Sequence, residues 1–130
     1  MKKSLNILLI VSIVGILINV CYAQVISKSR NSLLLLNRVK DVGVIKNDTP
    51  IKEKFYFVNV SNSDVEIDYV KPDCTCSGFT LSKNPIHPQD TAYIELVYNP
   101  KNDYGVTRVH ATIKTKTKEM HLITLKAKVN

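Results

Sequence analysis

No run of apolar residues in this 130-residue chain reaches the roughly 20 that a membrane-spanning helix requires. From Ile51 onward the apolar residues never recur at helical spacing and no segment repeats. No serine stands with a histidine and a carboxylate in a recognisable nucleophile motif. A spanning anchor, an α-helical fold, a repeat array and a hydrolase are all disfavoured, and no enzymatic activity is expected. Charge of one sign is in modest excess, with 18 basic against 11 acidic residues. The lysines occupy alternating positions and are not gathered with stacking aromatics, so no nucleic-acid partner is expected. Cysteine is scarce, with three in the chain. Glu66 and Asp68 read as one solvated strand face and not as an acid–base couple.

What is present begins with an export signal. Lys2 and Lys3 precede the apolar stretch Ile7 to Ile18, broken only by Ser12 and Gly15, which fits a signal-peptide core. Cys21-Tyr22-Ala23 puts small side chains at the two positions a signal peptidase reads, so cleavage is expected between Ala23 and Gln24. A rival reading makes Cys21 a lipid-bearing cysteine, with branched Ile18 three positions before it but bulky Val20 where such sites take a small residue. The expected location is periplasmic or extracellular, with an outer-membrane lipoprotein as the alternative. Membrane contact would come only through an uncleaved signal or a lipid.

Residues 24–36 read as a flexible leader whose apolar Leu33 to Leu36 could supply a first edge strand, and 37–130 as a single domain. Beyond Ile51 the pattern has period two, the mark of strands with one buried face. Phe55 and Phe57 share a face before the turn-forming stretch Asn59 to Asp64. Val65, Ile67 and Tyr69 then alternate with Glu66 and Asp68 until Lys71-Pro72-Asp73 breaks the strand. Ala92, Ile94, Leu96 and Tyr98 form the next inward set, followed by Thr107, Val109, Ala111 and Ile113, and finally Ile123, Leu125, Ala127 and Val129. The three histidines read as surface positions. Lys114, Lys116 and Lys118 read as a charged row that discourages edge-to-edge pairing. About seven short strands with turns every 8 to 12 residues predict an all-β fold, a single immunoglobulin-like antiparallel β-sandwich preceded by a signal peptide.

Four segments carry a family resemblance: Asp41-Val42-Gly43-Val44-Ile45, Phe55-Tyr56-Phe57-Val58-Asn59, Asp73-Cys74-Thr75-Cys76 and Pro85-Ile86-His87-Pro88. Their order and spacing resemble the bacterial family called domain of unknown function 1573 over residues 37 to 130. The resemblance implies an exported or lipid-anchored sandwich similar to Hydin-type and major-sperm-protein-like folds, and carries no established activity. This chain departs from the family pattern at Val42, where Phe is usual, and at Thr75 and Gln89, where Gly is usual.

Cys74-Thr75-Cys76 is the segment with the most chemistry. In an oxidising compartment two near-adjacent thiols can form a disulfide, hold a soft metal, or simply pin a turn. On a regular strand, residues two apart sit near the ~6.8 Å upper limit of Cα separation for a disulfide, so bonding needs a local bend. Such a ring constrains little unfolded-state entropy and suits exchange better than stabilisation. As a metal site the pair supplies two thiolates, enough for low-coordinate Cu(I) but half of a tetrahedral zinc set. His87, in a proline-framed turn, is the candidate third ligand. His110, Met120 and His121 lie on later strands with no fixed geometry to the thiols. Two functions follow. One is a non-enzymatic module of the cell envelope that binds a protein partner, needs no cofactor and offers an open sheet edge. The other is a factor that uses Cys74 and Cys76 for Cu(I) capture or disulfide exchange.

Overall fold

The computed structural model describes residues 31–130. The expected signal peptide, the expected Ala23–Gln24 cleavage point, Cys21 and most of the expected leader lie outside the described residues. Eight strands form in order: β1 Leu33–Leu35, β2 Val39–Ile45, β3 Ile51–Asn59, β4 Ile67–Pro72, β5 Ser77–Leu81, β6 Thr91–Tyr98, β7 Gly105–Thr115 and β8 Met120–Val129. They make two four-stranded sheets, β1-β3-β6-β5 and β2-β8-β7-β4. This is the arrangement of an immunoglobulin-type sandwich. The count exceeds seven because the N-terminal strand is split: Leu33–Leu35 pairs antiparallel with β3, and after Leu36-Asn37-Arg38 the chain crosses to pair with β8. That second pairing, β2 with β8, is parallel, the one exception to an otherwise antiparallel ladder among the described residues.

Period-two sequence produces the core directly. Phe55 and Phe57 from β3, Ala92, Ile94, Leu96 and Tyr98 from β6, Val109, Ala111 and Ile113 from β7, and Ile123, Leu125, Ala127 and Val129 from β8 are all buried between the sheets. Each large apolar side chain removed from water contributes about 1.5–3 kcal/mol. Val42 packs against this cluster from β2. One lateral seam of the sandwich is bridged between sheets by the Lys40–Glu53 ion pair at 2.9 Å. At the other seam β4 passes directly into β5 through Asp73–Cys76.

Three expectations are corrected. Val65, just ahead of β4, and Ile67 on it are buried, but Tyr69 is exposed and Val70 buried instead. A register shift between Ile67 and Tyr69 inserts one residue against β7, and that bulge reverses the inward set. Asn59, placed with the turn, is the buried last residue of β3. Its Nδ2 donates to Ser63 O and Ile86 O, both at 2.8 Å, and its Oδ1 accepts from Ser61 N–H at 2.9 Å, so one amide ties the β3–β4 loop to the β5–β6 loop. The lysines 114, 116 and 118 do not guard an edge, because β7 is an interior strand. Lys114 pairs instead with Asp68 at 3.6 Å and Lys116 with Glu66, both acids on the β4 side.

Candidate functional site

The cysteines sit where β4 ends. Asp73 closes the β4–β7 ladder through its N–H to His110 O at 2.9 Å, and its Oδ1 accepts from His110 N–H at 3.0 Å. The chain then turns directly after Asp73. Cys74 and Cys76 are joined as a disulfide with their Cα atoms 5.2 Å apart, so the bend that direct bonding requires is supplied by the turn. Ser77 N–H and Oγ both donate to Cys74 O, at 3.2 and 2.9 Å, and Cys76 N–H points at Cys74 Sγ at 3.0 Å. Thr75 at the tip is exposed and is not among the positive-φ residues, so this turn does not demand glycine there. Both cysteines are partly buried. Cys76 packs against the core, and its carbonyl accepts from Asn99 N–H at 2.9 Å, which starts the β5–β6 ladder.

The histidines do not join the thiols. Cys76 lies beside the Tyr98 end of β6, whereas His87 lies near the Thr91 end, in the segment bonded to Asn59 and Val65. At roughly 3.3 Å per residue those ends are on the order of 20 Å apart. His87 is therefore not a third ligand for the pair. Its Nδ1 instead meets Asp64 Oδ1 at 2.8 Å on the surface, and that hydrogen bond and charge raise its pKa above the ordinary value. His110 bonds Thr124 Oγ1 at 2.8 Å through Nδ1. His121 is not a surface residue: it is buried, with Nε2 at 2.6 Å from Glu119 Oε1 and Nδ1 without a partner. Its parity was the available signal, because it alternates in step with Ile123 and Leu125. Among the described residues no three His, Cys, Asp or Glu side chains cluster as a metal set.

Two further features share the cysteine end. A shallow cleft of about 380 Å³ is lined by Asn47, Asp48, Pro50, Asn99, Lys101 and Asn102. Next to Asn99 in the chain, buried Tyr98 donates its hydroxyl to Asp103 Oδ2 at 2.5 Å, and burial together with that carboxylate pushes the phenol up to about 12. Beginning at the disulfide turn, β5 forms an outer strand of its sheet. Phe79 stands opposite Leu96 and so on the inner side, yet is 44% exposed, since among the described residues no strand lies beyond it.

Residues 34–129 match the model of a family described as "Protein of unknown function (DUF1573)". No curated protein matches this sequence. Solved structures share the fold at low identity. A protein of unknown function from Porphyromonas gingivalis W83 superposes with a TM-score of 0.65 at 12% identity, over 79% of this chain and 51% of that one. This chain thus spans about half the length of that protein. The ASH/PapD-like domain 7 of human CEP192 gives 0.62 at 9% identity, over 76% of this chain and 85% of that domain. The periplasmic chaperone SfaE gives 0.55 at 5% identity, over 75% and 57%.

Proposed function

From the premise that the chain belongs to the family described as Protein of unknown function (DUF1573), we propose that it is a non-enzymatic binding or structural module of the cell envelope, working outside the cytoplasm on a protein partner. The observation that carries this reading is the sandwich itself: a two-sheet scaffold that, among the described residues, leaves an uncharged outer strand, β5, unpaired on one side. An unpaired strand edge offers main-chain hydrogen bonds that an extended segment of another protein can accept. The name of the periplasmic chaperone SfaE, whose fold this chain shares, is compatible with such a role outside the cytoplasm.

A second reading rests on a different observation, the paired Cys74–Cys76 turn. A disulfide closing so small a ring between partly exposed cysteines suits thiol exchange. Capture of Cu(I) would have to proceed on the two thiolates without His87. The two readings part under Cys74→Ser and Cys76→Ser. A binding module keeps its partner in both variants, whereas an exchange or copper factor loses all activity when either sulfur is removed. Intact-mass measurement of the exported protein under non-reducing conditions tests compartment and redox state together. A mass starting at Gln24 and lighter by two hydrogens is expected. Freely alkylating thiols remove the exchange reading, and an uncleaved protein retained in the cytoplasm removes the extracytoplasmic one.

A further inference from the structure

We propose that the free edge of β5 is the docking site, taking up an extended, uncharged segment of a partner protein as a fifth strand of the β1-β3-β6-β5 sheet. This rests on the binding-module reading and locates its surface. The phase of the β5–β6 ladder is set at both ends, by Asn99 N–H to Cys76 O at 2.9 Å and Ser82 N–H to Tyr93 O at 3.0 Å. Even-numbered residues of β5 therefore turn their backbone groups toward β6, and Ser77, Phe79 and Leu81 turn theirs outward. Ser77 N–H is already used by Cys74 O. Among the described residues, what remains for a partner is the Ser77 carbonyl and the N–H and carbonyl of both Phe79 and Leu81.

The other three outer strands are each blocked. On β1, only three residues long, Leu33 N–H already reaches Glu119 Oε1 at 3.3 Å. On β2, Gly43 in a positive-φ bulge breaks the register, and Lys40 points its charge into the seam toward Glu53. On β4, the side chain of Asn84 satisfies both Ile67 N–H and Ile67 O, at 2.9 and 3.0 Å, Val65 is bridged to Ile86, and Pro72 has no donor. Bulges, prolines, inward charges and very short strands are the devices by which proteins keep sheet edges from pairing. The β5 sequence, Ser-Gly-Phe-Thr-Leu, has none of them and no charge.

The chemistry of the occupant follows from the strand it would face. Residues opposite Phe79 and Leu81 would fall on the inner side against exposed phenyl and the margin of the core, so they are apolar. Alternate residues would lie beside Gly78 and Thr80 and are small or β-branched. No charge on β5 is available to pair with a charged one. A second copy of this chain is a poor occupant: paired β5 to β5, two five-residue strands alone bury well under the roughly 1,000 Å² a stable dimer requires, whereas a segment of a larger partner can be held by further surface on either side of the strand.

The test uses the full exported chain and a blocked peptide of alternating valine and threonine, followed by amide hydrogen exchange. Addition of the peptide is expected to slow exchange at Phe79 and Leu81 at least tenfold while Gly78 and Thr80, already bonded to β6, stay unchanged. Phe79→Lys, which places a charge on the edge without touching a β6 bond, is expected to weaken binding at least tenfold and leave cooperative melting intact. Unchanged exchange at Phe79 and Leu81 in millimolar peptide, or equal binding by Phe79→Lys, overturns the assignment. In cells, a photocrosslinking benzoylphenylalanine in place of Phe79 and, separately, of exposed Arg108 on the outer face of the other sheet tells the two claims apart. Attachment at Phe79 to an uncharged, alternating segment supports the edge. A charged segment there, or capture from Arg108 alone, overturns the edge and leaves the binding module standing. Capture from neither overturns both.

Discussion

Glu119, in the turn between β7 and β8, accepts a hydrogen bond from Ser32 N–H at 2.9 Å at the start of β1, in the opposite sheet. The same carboxylate takes the Ser32 hydroxyl, Leu33 N–H at 3.3 Å and His121 Nε2 at 2.6 Å. One side chain thus fastens the first strand to the last hairpin. Burial pushes its pKa up, but the hydrogen bonds from Ser32, Leu33 and His121 outweigh burial and hold it below the ordinary 4.5. The ionised form is the one favoured by folding. Its contribution is fully present above pH 4.5 and is lost as pH falls through the depressed folded value.

Glu119→Gln is accordingly expected to destabilise the domain by about 1–3 kcal/mol at pH 7. The deficit relative to wild type should shrink as pH drops below 4.5, where the wild-type carboxyl itself becomes neutral. Urea titrations of both proteins across pH 3 to 7 measure this. A deficit that grows toward acid would sink the account.

Asn59→Ala should cost about 2–4 kcal/mol, more than its polar character suggests, because it strips bonds from backbone groups in two loops, among them the buried Ile86 carbonyl. Asn59→Asp should do no better: the carboxylate keeps the acceptor side toward Ser61 but loses both donors and brings a charge into a fully buried site. Thermal melts of the two variants against Phe57→Ala, a cavity mutant of the neighbouring core residue, place the loss on a common scale.

Gln89 holds φ at +64° while its N–H donates to Asn59 O at 2.9 Å. A side chain in this left-handed region costs roughly 1–2 kcal/mol, partly offset by the greater freedom glycine has when unfolded. Gln89→Gly should stabilise by about 0.5–1 kcal/mol. Thr75→Gly, at the other position where the family usually has glycine, should give no stabilisation, because Thr75 does not occupy that region. Denaturation midpoints of the two variants decide it, and a stabilising Thr75→Gly would contradict the turn described here.

Reducing the Cys74–Cys76 disulfide should lower stability by less than about 2 kcal/mol, since so small a ring restricts the unfolded chain little. Melting with and without reductant tests this. A drop comparable to the loss of Phe57 would mean that the turn is a structural clamp.

Strands β6, β7 and β8 were legible because each buries one face against the other sheet, so burial writes period two into the sequence. The phase error on β4 arose from a single inserted residue, which composition does not betray: Tyr69 and Val70 are both suitable strand residues, and only pairing with Lys114 and Ile113 decides between them. The split of the first strand was hidden for the same reason, since partners of Leu33 and Val39 lie far along the chain in different sheets. At the cysteines, spacing alone indicated that a bend was needed, and the turn supplies it. The distance to His87 was beyond reach, being set by the length of β6 between them. Asn59 carries no sign of its burial in the sequence, because a polar residue at a strand end looks like turn chemistry and its burial depends on carbonyls from Ser63 and Ile86. The open edge of β5 is negative information: it is defined by which strand is absent beside it among the described residues.

Parallel pairing of β2 with β8 has a mechanical consequence. Tension applied to the front of β2 and the back of β8 runs along both strands in opposite senses. Their hydrogen bonds then lie across the load and must fail together, where an antiparallel hairpin pulled from its open end would peel one bond at a time. A domain joined to its surroundings through those two strands would transmit force as a stiff link, yielding abruptly at a threshold and not by gradual extension.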